Sequence, residues 1–224
     1  MSVHPLLHLL RKDWHLVGVP VMAYAIAGAA AVILLGLQNQ AAFYAGTVLL
    51  ITVLVTLGVH PATATVVSER KDQTIAFTMS LPISAADYLR SKLAFNLLAY
   101  FVPWGVLLLA TCALFAWQDN LPDGLIPLVL ILFGALAMNA VLILSAALLT
   151  ESMETTIATM AVCNLAFHGV LFGAANMSAI GPTLHAPHPV WSPAVFAFLG
   201  TYALVIAASL ALVTWRHARK TDFL

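Results

Sequence analysis

The hydrophobic and polar positions of this chain fall into long blocks. Residues 14–68 contain no Asp, Glu, Lys or Arg. That block is too long for one membrane-crossing helix of about 20 residues and long enough for two. Its one polar cluster is the Gln-Asn-Gln sequence at 38–40. The pattern therefore predicts two membrane spans, at residues 16–37 and 41–67, joined by a short turn.

The remainder of the chain continues the same pattern. Apolar blocks at 93–117 and 125–149 are separated by the sequence Asp-Asn-Leu-Pro-Asp-Gly, which is typical of a turn. Two further blocks, at 156–175 and 193–215, flank the uncharged, proline-containing segment 176–191. We therefore predict an all-α integral membrane protein with six spans, a single transmembrane domain, and an extracytoplasmic segment before span six.

Residues 1–15 precede the first span and are more polar. His4, His8, Arg11 and His15 are spaced four, three and four residues apart, which places them on one face of a helix. Leucine and tryptophan occupy the other face. This predicts an N-terminal helix lying along the membrane interface. The alternative is that these residues simply extend the first span.

Composition and charge agree with a membrane protein and give its orientation. The chain is 62% hydrophobic and 8% charged, whereas soluble domains carry about 25% charged residues. All nine Lys and Arg residues lie near the termini or between spans two and three. By the positive-inside rule the termini and the loop at 68–92 are cytoplasmic, in a cell membrane. The net charge of zero favours no nucleic-acid partner.

Several kinds of site are absent from the sequence. There is no G-x-x-x-x-G-K-[ST] loop for a nucleotide, no H-E-x-x-H and no G-x-S-x-G. His185 and His188 lack a third metal ligand nearby. The sequence therefore predicts a chain with no catalytic residues, metal or cofactor of its own. With no carboxylate deep in a predicted span, energy for any uphill transport must come from elsewhere.

The polar residues inside the spans are candidates for a substrate path. Asn139, Asn164 and His168 lie within spans four and five, and the last two are four residues apart on one helical face. The competing interpretation is that they form ordinary hydrogen bonds between helices. His60 and His168 also suggest an alternative function, a haem-binding membrane anchor of a redox complex.

The loop at 68–92 carries the most specific pattern. It reads Glu69-Arg70, then Gln73-Thr74, then Ser-Leu-Pro-Ile-Ser at 80–84, then Lys92. This order resembles the first cytoplasmic loop of ABC-2-type transporter permeases, with Gln73 where many members have Gly. The interfacial helix, six spans and outer segment before span six agree with that family's layout.

The resemblance implies a permease of an exporter, driven by ATP and Mg²⁺ on two copies of a separate ATPase subunit. It also implies a second permease chain, either identical or related. In such permeases the loop contains a coupling helix that docks on the ATPase. The residues that we expect to dock are Glu69, Arg70, Gln73, Thr74, Ile75, Phe77, Met79, Leu81 and Pro82. Their charges would set orientation, and the apolar side chains would act as anchors.

Overall fold

Long apolar helices make up nearly all of the described chain. The computed structural model describes residues 4–71, 85–118, 120–150 and 152–219, and these ranges contain no β-strand. Six of the helical segments are long and apolar enough to cross a membrane. The predicted all-α, six-span class is therefore confirmed.

The helices follow the predicted spans closely at most of their ends. They are α1 (His4–Gly36), α2 (Gln40–Ala62), α3 (Ser68–Lys71), α4 (Ala85–Trp117), α5 (Ile126–Thr150), α6 (Met153–Asn176) and α7 (Pro193–Ala218). A π-helical stretch, Thr63–Val67, joins α2 directly to α3. The larger differences from the predicted spans are at the starts of α1 and α4, which both begin well before their apolar blocks.

The N-terminal segment is not a separate element. From His4 onward it forms one continuous helix with the first span. The structure therefore agrees with the alternative, in which these residues extend the first span. At about 1.5 Å per residue, a helix of 33 residues is about 50 Å long, well beyond the 30 Å hydrocarbon core. The helix continues through its polar residues without a break. One of these residues, Asp13, is buried and forms an ion pair with Lys92 of α4.

The proline in α2 is followed by a change of helix type. Pro61 lacks an N–H group and cannot complete the regular hydrogen-bond ladder of the helix. The next residues, Thr63–Val67, adopt π-helical geometry before α3 resumes the α-helix. The irregularity that follows this proline takes the form of a π-helix.

The core of the bundle is centred on α5. In its most apolar window 61% of the residues are buried, compared with 17% in α6 and 11% in α7. Ile131, Phe133 and Leu136 of α5 are almost completely buried. The helix packs against α2, α4, α6 and α7. The helix α5 is therefore the central helix. Most of the surface of α6 and α7 is not buried against other parts of this chain.

The segment before α7 folds against the start of α5. Gly124 donates a backbone hydrogen bond to the carbonyl oxygen of Ala186, at 3.0 Å. A Cβ atom on Gly124 would lie 2.1 Å from the Thr183 carbonyl oxygen, so only glycine allows this close approach. Ser192 occupies the N-cap position of α7, but its side chain makes no capping hydrogen bond.

Candidate functional site

Charged side chains from three helices meet where the described chain stops at Lys71 and resumes at Ala85. We call this end of the bundle the loop end. The side chains that meet there, together called the charge cluster, are Lys12, Asp13, Glu69, Tyr88 and Lys92. They come from α1, α3 and α4, so the cluster joins both sides of the loop to the first helix.

Lys92 lies at the centre of the charge cluster. Its Nζ donates to both Asp13 carboxylate oxygens, at 2.9 and 3.0 Å, and to Glu69 Oε1 at 2.8 Å. An ammonium group has three N–H donors, and these contacts use all of them. Lys12 Nζ lies 2.6 Å from the same Glu69 oxygen. The Tyr88 hydroxyl donates to the other Glu69 oxygen at 2.9 Å.

The charge cluster is buried and electrically balanced. Lys92 and Asp13 are each 1% exposed, and Glu69 is 6% exposed. Among the described side chains, two lysines face two carboxylates, so their formal charges sum to zero. Taking an ion out of water costs several kcal/mol unless close partners of opposite charge compensate for the lost hydration. The members of the cluster therefore stabilise one another. Lys12, whose side chain is 47% exposed, connects the cluster to the surface.

The lysines also determine the ionisation of Glu69. Burial alone would raise the pKa of the Glu69 carboxyl, but the ammonium groups of Lys92 and Lys12 together outweigh burial and lower that pKa below its ordinary value. Glu69 is therefore negatively charged at neutral pH. Its charge is compensated within the chain instead of being presented to solvent.

A second polar contact connects the cluster to the π-helix. Asn96 lies one turn after Lys92 on α4 and donates to the Lys92 carbonyl oxygen at 2.9 Å. The same amide nitrogen donates to the Thr65 hydroxyl at 3.0 Å. Thr65 in turn donates to the carbonyl oxygen of Pro61 at 2.7 Å. The irregular end of α2 is thus tied to the same stretch of α4 that carries the charge cluster.

The structure gives two of the predicted motif residues a role inside the chain. Glu69 and Lys92 point into the charge cluster, so the side chain of Glu69 is not an exposed charge. Arg70 follows Glu69 on α3. The remaining predicted docking residues lie outside the described residues; they are Gln73, Thr74, Ile75, Phe77, Met79, Leu81 and Pro82.

Sequence reasoning missed Asp13 as a partner of this site. The signal was available, because Leu9, Asp13, Val17 and Val21 are spaced four residues apart and form one row on α1. All four are buried. A carboxylate in an otherwise apolar buried row requires a cationic partner. Asp13 precedes the predicted first span at 16–37 and was therefore not expected to be buried.

Comparison with known families identifies the kind of protein. The sequence model described as "ABC-2 family transporter protein" matches residues 8–214, a range that includes all or most of each of the six membrane-crossing helices. The chain belongs to the ABC-2 transporter family. No curated protein and no solved structure matches it.

Membership defines the general role of the chain. ABC-2 permeases are membrane transport components, distinct from the ATPase, and they generally work with a separate ATPase subunit. This chain is accordingly a multi-pass membrane permease subunit. The resemblance inferred from the loop at 68–92 is confirmed at the level of the family.

Two of the three predicted path residues of this permease lie together. Asn139 of α5 is buried and donates to the carbonyl oxygen of Cys163 in α6, at 3.3 Å. Asn139 and Asn164 line a cavity of about 10 Å³ between α2, α5 and α6. A cavity of that size is near the lower limit for a single water molecule. Asn139 thus makes the kind of interhelical hydrogen bond that the competing interpretation described.

His168, the third predicted path residue, lies on a different surface. It is exposed on α6, beside Phe167, whose ring centroid is 5.3 Å away. Gly169 and Gly173 are also exposed, and a Cβ atom on either would have nothing within 4 Å. The outward face of α6 therefore combines a polar ring with two glycines one helical turn apart.

His60, the other histidine of the haem alternative, packs inside the bundle. Its ring meets Tyr24 of α1 edge-on, with the ring centroids 5.7 Å apart. Among the described residues no group of three or more His, Cys, Asp or Glu side chains could hold a metal ion.

Proposed function

We propose that this permease moves its substrate out across a cell membrane, using ATP that is hydrolysed on a separate ATPase subunit. The observation that carries the proposal is the charge cluster at the loop end. It ties the residue that enters the loop, Glu69, and the helix that leaves it, α4, to α1. A displacement of the loop would therefore move three helices together, as rigid-body switching requires.

The loop between α3 and α4 is the proposed docking element for the ATPase. Its sequence supports this role, because the apolar residues Ile75, Phe77, Met79 and Leu81 are interspersed with polar ones before Pro82. Buried apolar anchors supply most of the affinity in small interfaces. Arg70, Gln73 and Thr74 would orient the loop on its partner. We reassign Glu69 from docking to anchoring, since its carboxylate is compensated within the chain.

A second permease chain is proposed to pack against the outward face of α6. His168 would be costly to leave facing hydrocarbon, and polar residues in membrane helices almost always face a protein or a water-filled cavity. Gly169 and Gly173 allow another helix to approach closely. The same face supports a substrate path between two chains near His168, with Asn164 one turn away. The second chain would be a copy of this one or a relative.

The remaining features follow from this arrangement. Both termini and the loop would face the cytoplasm, because the basic residues lie at that end. Two ATPase subunits would serve two permease chains, and ATP and Mg²⁺ would be bound there, leaving this chain without a cofactor. No observation among the described residues favours the alternative of a haem-binding anchor.

Co-purification tests the proposal directly. The permease is purified with an ABC ATPase encoded beside it, and both the bound ATPase and its hydrolysis rate are measured. We expect Leu81→Asp to lower one or both, because a charge replaces an apolar anchor. The matched control is Leu121→Asp in the turn between α4 and α5, which should change neither. If the ATPase binds and hydrolyses ATP equally with both variants, the loop is not the docking element.

A further inference from the structure

A long apolar groove runs along the outside of the bundle between α1 and α4. Its volume is about 940 Å³, at the upper end of the range for ligand sites. The floor is formed by Val21, Phe95 and Ala99, which are buried. The walls include Met22 and Val102, which are more than half exposed. The groove is therefore open to whatever surrounds the bundle.

The two helices stay in contact beneath the groove. A Cβ atom on Gly28 of α1 would lie 2.6 Å from the side chain of Leu107 on α4, so this side chain packs directly on the Gly28 backbone. The groove extends from Leu7 to Ile33 on α1. At 1.5 Å per residue that distance is about 39 Å, longer than a hydrocarbon core of about 30 Å. The groove is therefore long enough to hold an extended acyl chain.

Arg11 is the one basic residue that lines the described groove, and it lies among apolar residues toward the loop end. Arg11 and Trp14 line the groove at the loop end and are both exposed. Arg11 makes no hydrogen bond or ion pair with any residue that the structure describes, in contrast to Lys12 beside it. Tryptophan is enriched at the level of lipid headgroups. An exposed arginine beside an apolar groove, with no partner among the described residues, is complementary to a molecule with a phosphate head and a hydrocarbon tail.

We propose that the groove between α1 and α4 is a binding site for an anionic phospholipid of the leaflet at the loop end. The phosphate would accept hydrogen bonds from Arg11, and an acyl chain would lie along Met22, Leu98 and Val102. The site does not depend on the identity of the transported substrate or on the ATPase. It differs from the general lipid-facing surface because it combines a formed groove with an arginine that has no partner among the described residues.

Lipid binding is measured by native mass spectrometry of the purified permease with added phosphatidylglycerol or phosphatidylcholine. We expect the wild type to retain phosphatidylglycerol preferentially. Arg11→Gln should weaken that binding about tenfold, because it removes a charge-assisted contact. Val102→Trp should remove it by filling the groove. Two controls should leave it unchanged: Arg90→Gln, the same charge loss at the same end, and Leu204→Trp, which also places a tryptophan at an exposed apolar position, on α7.

The outcomes separate a specific site from its competitors. Equal retention of the two lipids by the wild type would overturn the proposal. So would equal losses with Arg11→Gln and Arg90→Gln, which would show bulk attraction between charges. If Val102→Trp binds as tightly as Leu204→Trp, the lipid is only part of the surrounding shell. A cross-link between two copies through a cysteine at position 102 would instead assign the groove to a second chain.

Discussion

Polar groups are buried and paired in the charge cluster, whereas a polar group is exposed on the outward face of α6. In the cluster, Lys92, Asp13 and Glu69 are almost completely buried, and each contacts an opposite charge within 3 Å. On α6, His168 is exposed, and Gly169 and Gly173 have open space above them. One region is complete in the single chain, whereas the other leaves a polar group on a membrane-facing surface.

The difference indicates which parts of the permease act alone and which need a partner. A balanced buried cluster fixes α1, α3 and α4 relative to one another, because separating them would leave charges uncompensated. The α6 face has no such internal constraint and is suited to contact with a second chain. Substitutions should therefore reduce the stability of the single chain in the first region, and reduce pairing in the second.

The largest effect is expected from Lys92→Met. It removes the ammonium group that contacts both Asp13 and Glu69, so we expect a loss of about 3–5 kcal/mol in the free energy of unfolding. Thermal unfolding in detergent measures this loss. Arg90→Met is the control, because Arg90 is exposed and lies 3.7 Å from its partner Asp87, which is worth at most about 1 kcal/mol.

A double variant tests whether the loss comes from uncompensated charge. Adding Asp13→Asn to Lys92→Met removes the unpaired carboxylate, so the double variant should be more stable than Lys92→Met alone. If the loss in the double variant equals the sum of the losses measured for Lys92→Met and Asp13→Asn separately, the uncompensated carboxylate is not the cause.

The next effect concerns pairing of permease chains. Gly169→Leu should leave the single chain folded, because a Cβ atom at this position meets nothing within 4 Å, but should reduce pairing about tenfold or more by blocking close approach. Gly200→Leu on α7 is the matched control, since its surroundings are equally open. Native mass spectrometry of the cross-linked permease gives the paired fraction. Equal pairing in both variants would exclude α6 as the interface.

A smaller effect is expected from Tyr88→Phe. The ring that lies 5.5 Å from Lys92 Nζ is kept, and only the hydroxyl that donates to Glu69 is lost. We expect a loss of about 1 kcal/mol in the free energy of unfolding. Tyr44→Phe, at an exposed tyrosine of α2, should have almost no effect. If the two variants unfold indistinguishably, the Tyr88 hydroxyl does not stabilise the charge cluster.

The smallest effect is the pH dependence of Glu69. Its pKa is lower in the folded protein, so its carboxylate stabilises the fold at every pH above its ordinary value of about 4.3. That contribution is lost as pH falls through the lowered pKa. The difference in unfolding temperature between the wild type and Glu69→Gln should be constant near neutral pH and shrink in acid. A difference that grows in acid would contradict the assignment.

Sequence patterning predicted the spans because it depends on long apolar blocks, and those blocks are what the bilayer requires. It could not predict that α1 would continue unbroken through Asp13, since that depends on Lys92, 79 residues away in the chain. For the same reason Glu69 was expected to be exposed. Asn139 and His168 look alike as polar residues in apolar blocks, and only packing distinguishes an interhelical hydrogen bond from an exposed ring.

The central claim is that the energy of ATP hydrolysis reaches the permease through the loop between α3 and α4. Site-specific photo-cross-linking from position 77 tests this claim most directly. A photoreactive amino acid replaces Phe77 in the permease, and the complex with its ATPase is irradiated without nucleotide and with ATP. The same substitution at Asn120, in the turn between α4 and α5, is the control. We predict a covalent adduct with the ATPase from position 77 and none from position 120. An adduct from position 120, or none from position 77 in a complex that still co-purifies, would contradict the account.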